Sequence, residues 1–294
     1  MSSQQTKQAN VQNRSSQALA DAETIDLAGI ETLAVELATL AGREITHALG
    51  TIFTVRYKTG PQDAASLRDP VSEIDRNVEI LIRKRLAARF PDHGIIGEEL
   101  TERPGRNSDV VWAVDPIDGT TNFVNGFPLF AASIGVLLRG RPVAGAVWCS
   151  VSHALRPGVY HARAGGRLHF DGSDVTPKIN AAVLRRLAGV PVVANTDEAG
   201  WETRKTGSAA LECALVAAGL LEVSRFAAPN LWDVAAGLAL VQAGGGVARE
   251  YVGARWMPME AFTPLARGDE KPDLRFWRRA IVVGTPPAVA RMCD

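Results

Sequence analysis

The chain has 294 residues, and 32 Lys and Arg are balanced by 32 Asp and Glu, so its formal net charge is zero. That balance excludes a chain-wide electrostatic grip on nucleic acid or on an anionic membrane. A hydrophobic share of 46% and a charged share of 22% are those of an ordinary globular protein, long enough for one large domain or two halves that share an interface.

Residues 1–22, rich in Gln, Ser and Asn, are expected to form a disordered tail, since they lack the apolar centre of a secretory signal. From Ile25 to Leu49 the apolar residues Leu27, Ile30, Leu33, Leu37 and Ile45 recur at helical spacings, which predicts an amphipathic helix. Thr51–Tyr57 reads as a strand and Lys58–Pro61 as a turn that runs on towards Asp69-Pro70. A second long helix opens near Ser72, followed by a short buried strand, Gly94–Gly97, that delivers Glu98 and Glu99 at its end. Asp109–Val114 is a second buried strand running into Asp115-Pro116-Ile117-Asp118, where a turn and a helix are expected. Ala131–Leu138 and Val143–Cys149 predict an antiparallel hairpin. Beyond a loop-rich change of character, strand Val190–Ala194 and helices Ala209–Leu221 and Trp232–Ala243 follow, the last stopped by Gly244-Gly245-Gly246. The organisation expected is an N-terminal α+β half at 23–153 and a C-terminal α/β half at 154–294. No apolar run approaches the roughly 18–20 residues of a bilayer span. Three widely spaced cysteines, Cys149, Cys213 and Cys293, make neither a disulfide framework nor a zinc ribbon and point to a reducing, cytoplasmic compartment.

Four carboxylates fall where strands are expected to end: Glu98, Asp115, Asp118 and Asp233. Hard divalent cations such as Mg²⁺ take oxygen ligands, a few of them carboxylates. Pro116 fixes φ, so the short segment after Asp115 can turn both Asp side chains and the Ile117 carbonyl towards one point. Directly after it, Gly119-Thr120-Thr121 offers backbone N–H groups and a hydroxyl at a helix start, the makings of an anion site. Each piece alone has a duller reading. Asp233 ahead of Val234-Ala235-Ala236 fits a helix cap, and Glu98-Glu99 fits a solvated pair.

Taken together, the motifs resemble those of the inositol monophosphatase family of Mg²⁺-dependent, lithium-sensitive phosphatases. They stand as Trp112-Ala113-Val114-Asp115-Pro116-Ile117-Asp118-Gly119-Thr120-Thr121-Asn122-Phe123, Leu231-Trp232-Asp233-Val234-Ala235-Ala236-Gly237, Gly97-Glu98-Glu99, Asp69–Asp75 and Gly207–Leu211. The resemblance implies an α/β (α+β) fold, a layered αβαβα sandwich of the inositol monophosphatase and fructose-1,6-bisphosphatase type, assembled as a homodimer. It implies two Mg²⁺ per site and room for a third. Glu98, Asp115 and the Ile117 carbonyl would hold one ion, and Asp115, Asp118 and Asp233 the other. Gly119 and Thr120 would receive the phosphate, Thr120 and Glu98 would orient the attacking water, and Asp75 would support it. Gly207, Ser208 and Ala209 would line the leaving-group side, and Lys58 is the best match to a family lysine, although the loop after it is longer than usual.

The implied activity is hydrolysis of a small phosphate monoester, an inositol phosphate, histidinol phosphate or a similar polyol or sugar phosphate. In inositol-specific members a glutamate seven residues before the second-motif aspartate contacts the sugar hydroxyls, and here that position is Phe226. A Phe accepts no hydrogen bond, which keeps 3′-phosphoadenosine 5′-phosphate and fructose 1,6-bisphosphate open as substrates. A haloacid-dehalogenase-type Asp-x-Asp-Gly-Thr motif is ruled against by the extra residue in Asp115-x-x-Asp118-Gly119-Thr120. An interaction protein that keeps the fold without turnover is the non-enzymatic alternative; no ligand carboxylate is missing. The Arg275, Arg278 and Arg279 cluster reads as a solvated face, and Trp201, Trp256 and Trp277 as packing residues.

Overall fold

The computed structural model describes residues 25–50, 55–57, 70–177, 180, 182–191, 200–268 and 270–294. The expected tail and the segment from Lys58 to Asp69, Lys58 included, lie outside them. The helix expected over 25–49 is α1 (Leu27–Ala48), and the second long helix is α2 (Glu73–Arg89), preceded by an antiparallel pair β1 (Val55–Tyr57) and β2 (Pro70–Ser72).

Seven strands in sequential order form the first sheet: β3 (Gly94–Gly97), β4 (Val110–Asp118), β5 (Ala131–Leu138), β6 (Arg141–Cys149), β7 (Gly158–Arg163), β8 (His169–Phe170) and β9 (Ser173–Asp174). Only β3 and β4 run parallel; the other neighbours are antiparallel. Successive strand residues point to opposite faces. Val110, Trp112 and Val114 therefore join the core under α1 and α2, and Val111 and Ala113 join the core on the other side. A strand covered on both faces reads as the unbroken apolar run seen in the sequence. The sheet continues through β7–β9 to Asp174, past the boundary expected at 153: the loop 150–157 merely links antiparallel neighbours.

A six-stranded second sheet has the order β11-β10-β12-β15-β13-β14, from β10 (Arg186–Gly189), β11 (Trp201–Arg204), β12 (Val223–Phe226), β13 (Val247–Val252), β14 (Arg255–Pro258) and β15 (Ile281–Gly284). Its first strand lies upstream of the one expected at Val190–Ala194; Val190 still donates to the Arg204 carbonyl at 2.8 Å, and 192–199 lie outside the described residues. Between the sheets sit α4 (Ala209–Ala217) and α5 (Leu231–Ala243), while α6 (Pro286–Cys293) covers the far face of the second sheet. The layers are helix, sheet, helix, sheet, helix, the expected sandwich. No described helix is long and apolar enough to cross a membrane.

The small residues of α5 set its depth. A Cβ added at Gly135 or Gly145 would come within 2.6 or 2.5 Å of the Ala236 backbone, so the helix lies directly on β5 and β6. Ser133 Oγ also donates to the Trp232 carbonyl at 3.0 Å. This close seating brings the first turn of α5, with Asp233, to the end of β4.

Candidate active site

The strand β4 does not stop before the aspartates; it runs through them to Asp118. Asp115 pairs with Ser133 and Asp118 with Ala131, three steps on β4 against two on β5. The extra residue is a β-bulge at Pro116, which has no N–H to give to the ladder. The bulge has a chemical consequence. In a regular strand, residues three apart face opposite sides, whereas one inserted residue restores the parity and lets Asp115 and Asp118 face the same cavity. The turn expected here is therefore a bulge, and the chain reverses only at Gly119, with φ 91°, before the one-turn helix α3 (Thr120–Val124).

A cavity of about 280 Å³ opens there, lined by Glu98, Asp115, Asp118 and Asp233 together with Gly119–Thr121, Gly207, Asn230 and Ile117. Carboxylate oxygens of Asp115, Asp118 and Asp233 lie within 4.8 Å of one another. Burial and the neighbouring carboxylates hold the Asp115 carboxyl well above its usual range, and Asp233 is raised for the same reasons. Burial pushes Asp118 up to about 7, although Ser208 Oγ and Ala210 N each donate to its Oδ2 at 2.6 Å. Asp233 is the third residue of α5, not its cap: the N-cap is Asn230, whose N–H the Asp233 carboxylate accepts at 2.7 Å in a capping box. The Thr120 hydroxyl lies 2.8 Å from the Ile117 carbonyl and 3.2 Å from Asp75 Oδ1, and Asp75 is fully buried.

The remaining expectations divide. Gly207 is on the cavity wall, but Ser208 and Ala209 are not: Ser208 Oγ is occupied by Asp118 and by the Leu211 N–H as the cap of α4. Phe226 does not line the cavity; it ends β12, 8% exposed, within the core between the sheets. Phe226→Glu, which would bury a carboxylate in place of a ring, is expected to cost about 3 kcal/mol and lower the melting temperature by roughly 5 °C or more. A thermal melt and a substrate ranking of the variant check this together. Thr121 lines the cavity beside Gly119 and Thr120, where the anion site was expected, and Asn230 joins the wall as the N-cap residue of α5.

The sequence profile described as "Inositol monophosphatase family" matches residues 26–271. The chain belongs to the inositol monophosphatase family. Over 236 residues it is 33% identical to "Inositol monophosphatase 2" of Solanum lycopersicum, covering 72% of this chain and 84% of that one. It is 31% identical over 217 residues to "Nus factor SuhB" of Escherichia coli K12, covering 69% and 81%. Among solved structures, extragenic suppressor protein suhB from Bartonella henselae superposes with a TM-score of 0.69 at 26% identity, covering 90% of this chain and 96% of that one.

The family is metal-dependent, and this member's cavity fits a hard cation. Its donors are oxygens, Asp115 Oδ1 is buried with no hydrogen-bond partner, and none of the described lining residues is cationic. Mg²⁺ at about 100 times its Kd is expected to stabilise the fold by about 2.7 kcal/mol, a rise in Tm of roughly 4 °C that a chelator reverses. Differential scanning calorimetry with and without Mg²⁺ reads it; an unchanged Tm contradicts a cation site.

Proposed function

We propose that this chain is a Mg²⁺-dependent phosphatase that hydrolyses a small phosphate monoester, an inositol phosphate, histidinol phosphate or a similar polyol or sugar phosphate, by direct attack of water. The observation that carries this reading is a cavity with four carboxylates beside the open backbone of Gly119–Thr121. Glu98, Asp115 and the Ile117 carbonyl would hold one cation, and Asp115, Asp118 and Asp233 a second. Bound there, the ions supply positive charge for the phosphoryl oxygens and for the departing alkoxide.

The protein's own groups do the rest. The first N–H groups of α3 have no partner inside the helix, and those of Gly119 and Thr120 are free to take phosphate oxygens. With only five residues in α3, the N–H groups matter more than any helix dipole. The Thr120 hydroxyl has one proton, directed at Ile117 or Asp75, so its lone pairs are left to accept from a water in the cavity. Glu98, half-buried on the same wall, would accept the second hydrogen of that water and fix it in line with the phosphorus. No protein nucleophile is required, and no covalent phosphoenzyme forms.

The test is phosphate release from inositol 1-phosphate, histidinol phosphate, fructose 1,6-bisphosphate and 3′-phosphoadenosine 5′-phosphate, with Mg²⁺ and with chelator. Turnover of a monoester that chelator abolishes is expected. The likeness to a protein named as a Nus factor favours a second reading, an interaction protein that keeps the fold. Absence of turnover on the whole panel would favour it.

A further inference from the structure

A second group of metal-binding side chains lies on the α1-covered face of the first sheet, away from the oxygen-lined cavity. His161 on β7 shares strand parity with Val159, which packs under α1, while Tyr160 and Ala162 face the other core. His169 on β8 stands directly opposite His161 in the ladder, and the two imidazoles stack with centroids 5.0 Å apart and planes 10° apart. Glu31, on the first turns of α1 and only 5% exposed, reaches them from above: its Oε1 is 2.7 Å from His161 Nδ1. Donor atoms of these three residues lie within 4.8 Å of one another.

Two details separate this group from an ordinary hydrogen-bond network. Asp174, next in the cross-strand row on β9, sits with Oδ1 3.1 Å from His169 Nε2. A carboxylate only accepts, so Nε2 carries a proton, and in the neutral ring the lone pair is then on Nδ1. That Nδ1 is buried and has no hydrogen-bond partner. A carboxylate behind one imidazole nitrogen and an open lone pair on the other is how a ligating histidine is usually oriented. The second detail is the division of Glu31. Arg163 takes Oε2, which neutralises the buried carboxylate, and Oε1 accepts the proton of His161 Nδ1, a proton that a cation held between these groups would release to solvent.

We propose that Glu31, His161 and His169 form a second metal site, for a divalent transition metal of the zinc class. Two imidazoles and one carboxylate are a donor set that zinc, copper and nickel favour and that Mg²⁺ does not, so the two sites select different ions. A bound ion would fasten α1 to the β7–β8 edge, joining segments 130 residues apart in sequence.

Equilibrium dialysis of the untagged full chain against micromolar Zn²⁺ in excess Mg²⁺ tests it. The expected result is one more Zn²⁺ per chain than His169→Gln or Glu31→Gln retains, with Mg²⁺-dependent phosphate release unchanged in both. A spectroscopic measurement needs no variant. Pulsed electron paramagnetic resonance of the Cu²⁺-loaded wild-type chain should show two coordinated imidazoles, which the catalytic cavity, with no histidine among its described lining residues, has no means to supply. Equal Zn²⁺ content in all three chains, or copper with oxygen donors alone, overturns the proposal and leaves the group as a hydrogen-bond network.

Discussion

Asp115→Asn is expected to lower kcat/KM by at least about 10³-fold, near 4 kcal/mol of transition-state stabilisation, while the protein remains folded. The substitution is nearly isosteric, so what changes is charge at the one carboxylate assigned to both cations. Asp115 is also the residue whose Oδ1 is buried without a partner, an oxygen waiting for a positive group. The same change acts on stability with the opposite sign. Burial and the carboxylates of Glu98, Asp118 and Asp233 raise the Asp115 carboxyl in the folded chain, so ionising it there costs free energy that the unfolded chain does not spend. That penalty is absent below the unfolded pKa and grows as pH rises above it; Asn removes it. The metal-free variant should therefore melt above the metal-free wild type at neutral and higher pH, and Mg²⁺ should raise its Tm less. Steady-state kinetics at saturating Mg²⁺ and paired melts with chelator read both effects. Activity within tenfold of wild type would remove Asp115 from the cation site.

Much of this architecture is legible in the sequence because it depends on local rules. Apolar runs covered on both faces marked β4, β5 and β6, and helical spacing marked α1 and α2. Asp115 and Asp118 were found because they stand in one continuous motif directly after an apolar strand, although the groups that hold Asp118, Ser208 and Ala210, lie far along the chain. What the sequence hides is pairing between distant segments. The bulge at Pro116 shows only when β4 is laid against β5, and it converts a predicted turn into a continued strand. Of the arginines expected on a solvated face, Arg278 is exposed, while Arg275 and Arg279 are half-buried braces: Arg275 donates to the Gly97 and Leu100 carbonyls, and Arg279 pairs with Glu250 at 2.8 Å. Phe226 occupies the aligned place of a substrate contact yet faces the core, since motif spacing fixes a position along the chain and not the direction of a side chain.

Glu79→Ala is expected to destabilise the fold by about 3–5 kcal/mol and, through Glu98, to lower kcat by roughly 10²-fold with KM nearly unchanged. Glu79 sits on α2 with no exposed surface, and helical periodicity alone gave no reason to single it out. Its carboxylate accepts from Glu99 N at 2.7 Å, Leu100 N at 3.2 Å and Arg83 Nε at 2.7 Å. Arg83 in turn donates to the Leu100 and Glu102 carbonyls, so both backbone edges of the segment after β3 are held from α2. Arg275 closes the other side of the same segment, with its guanidinium 5.5 Å from the Trp232 ring, next to Asp233. The brace thus links the backbone around Glu98 to the helix that carries Asp233. Deleting the carboxylate leaves a guanidinium and two backbone N–H groups without their acceptor, which is why the stability cost exceeds that of a surface ion pair. Glu98 would lose its fixed aim while Gly119 and Thr120 keep theirs, and that asymmetry predicts a fall in kcat without a matching rise in KM. Glu79→Gln, which keeps the length and one acceptor oxygen, should recover part of both losses. A Glu79→Ala chain that loses stability but turns over at the wild-type rate would show that β3 alone aims Glu98, and that the buried carboxylate serves the fold and not the chemistry.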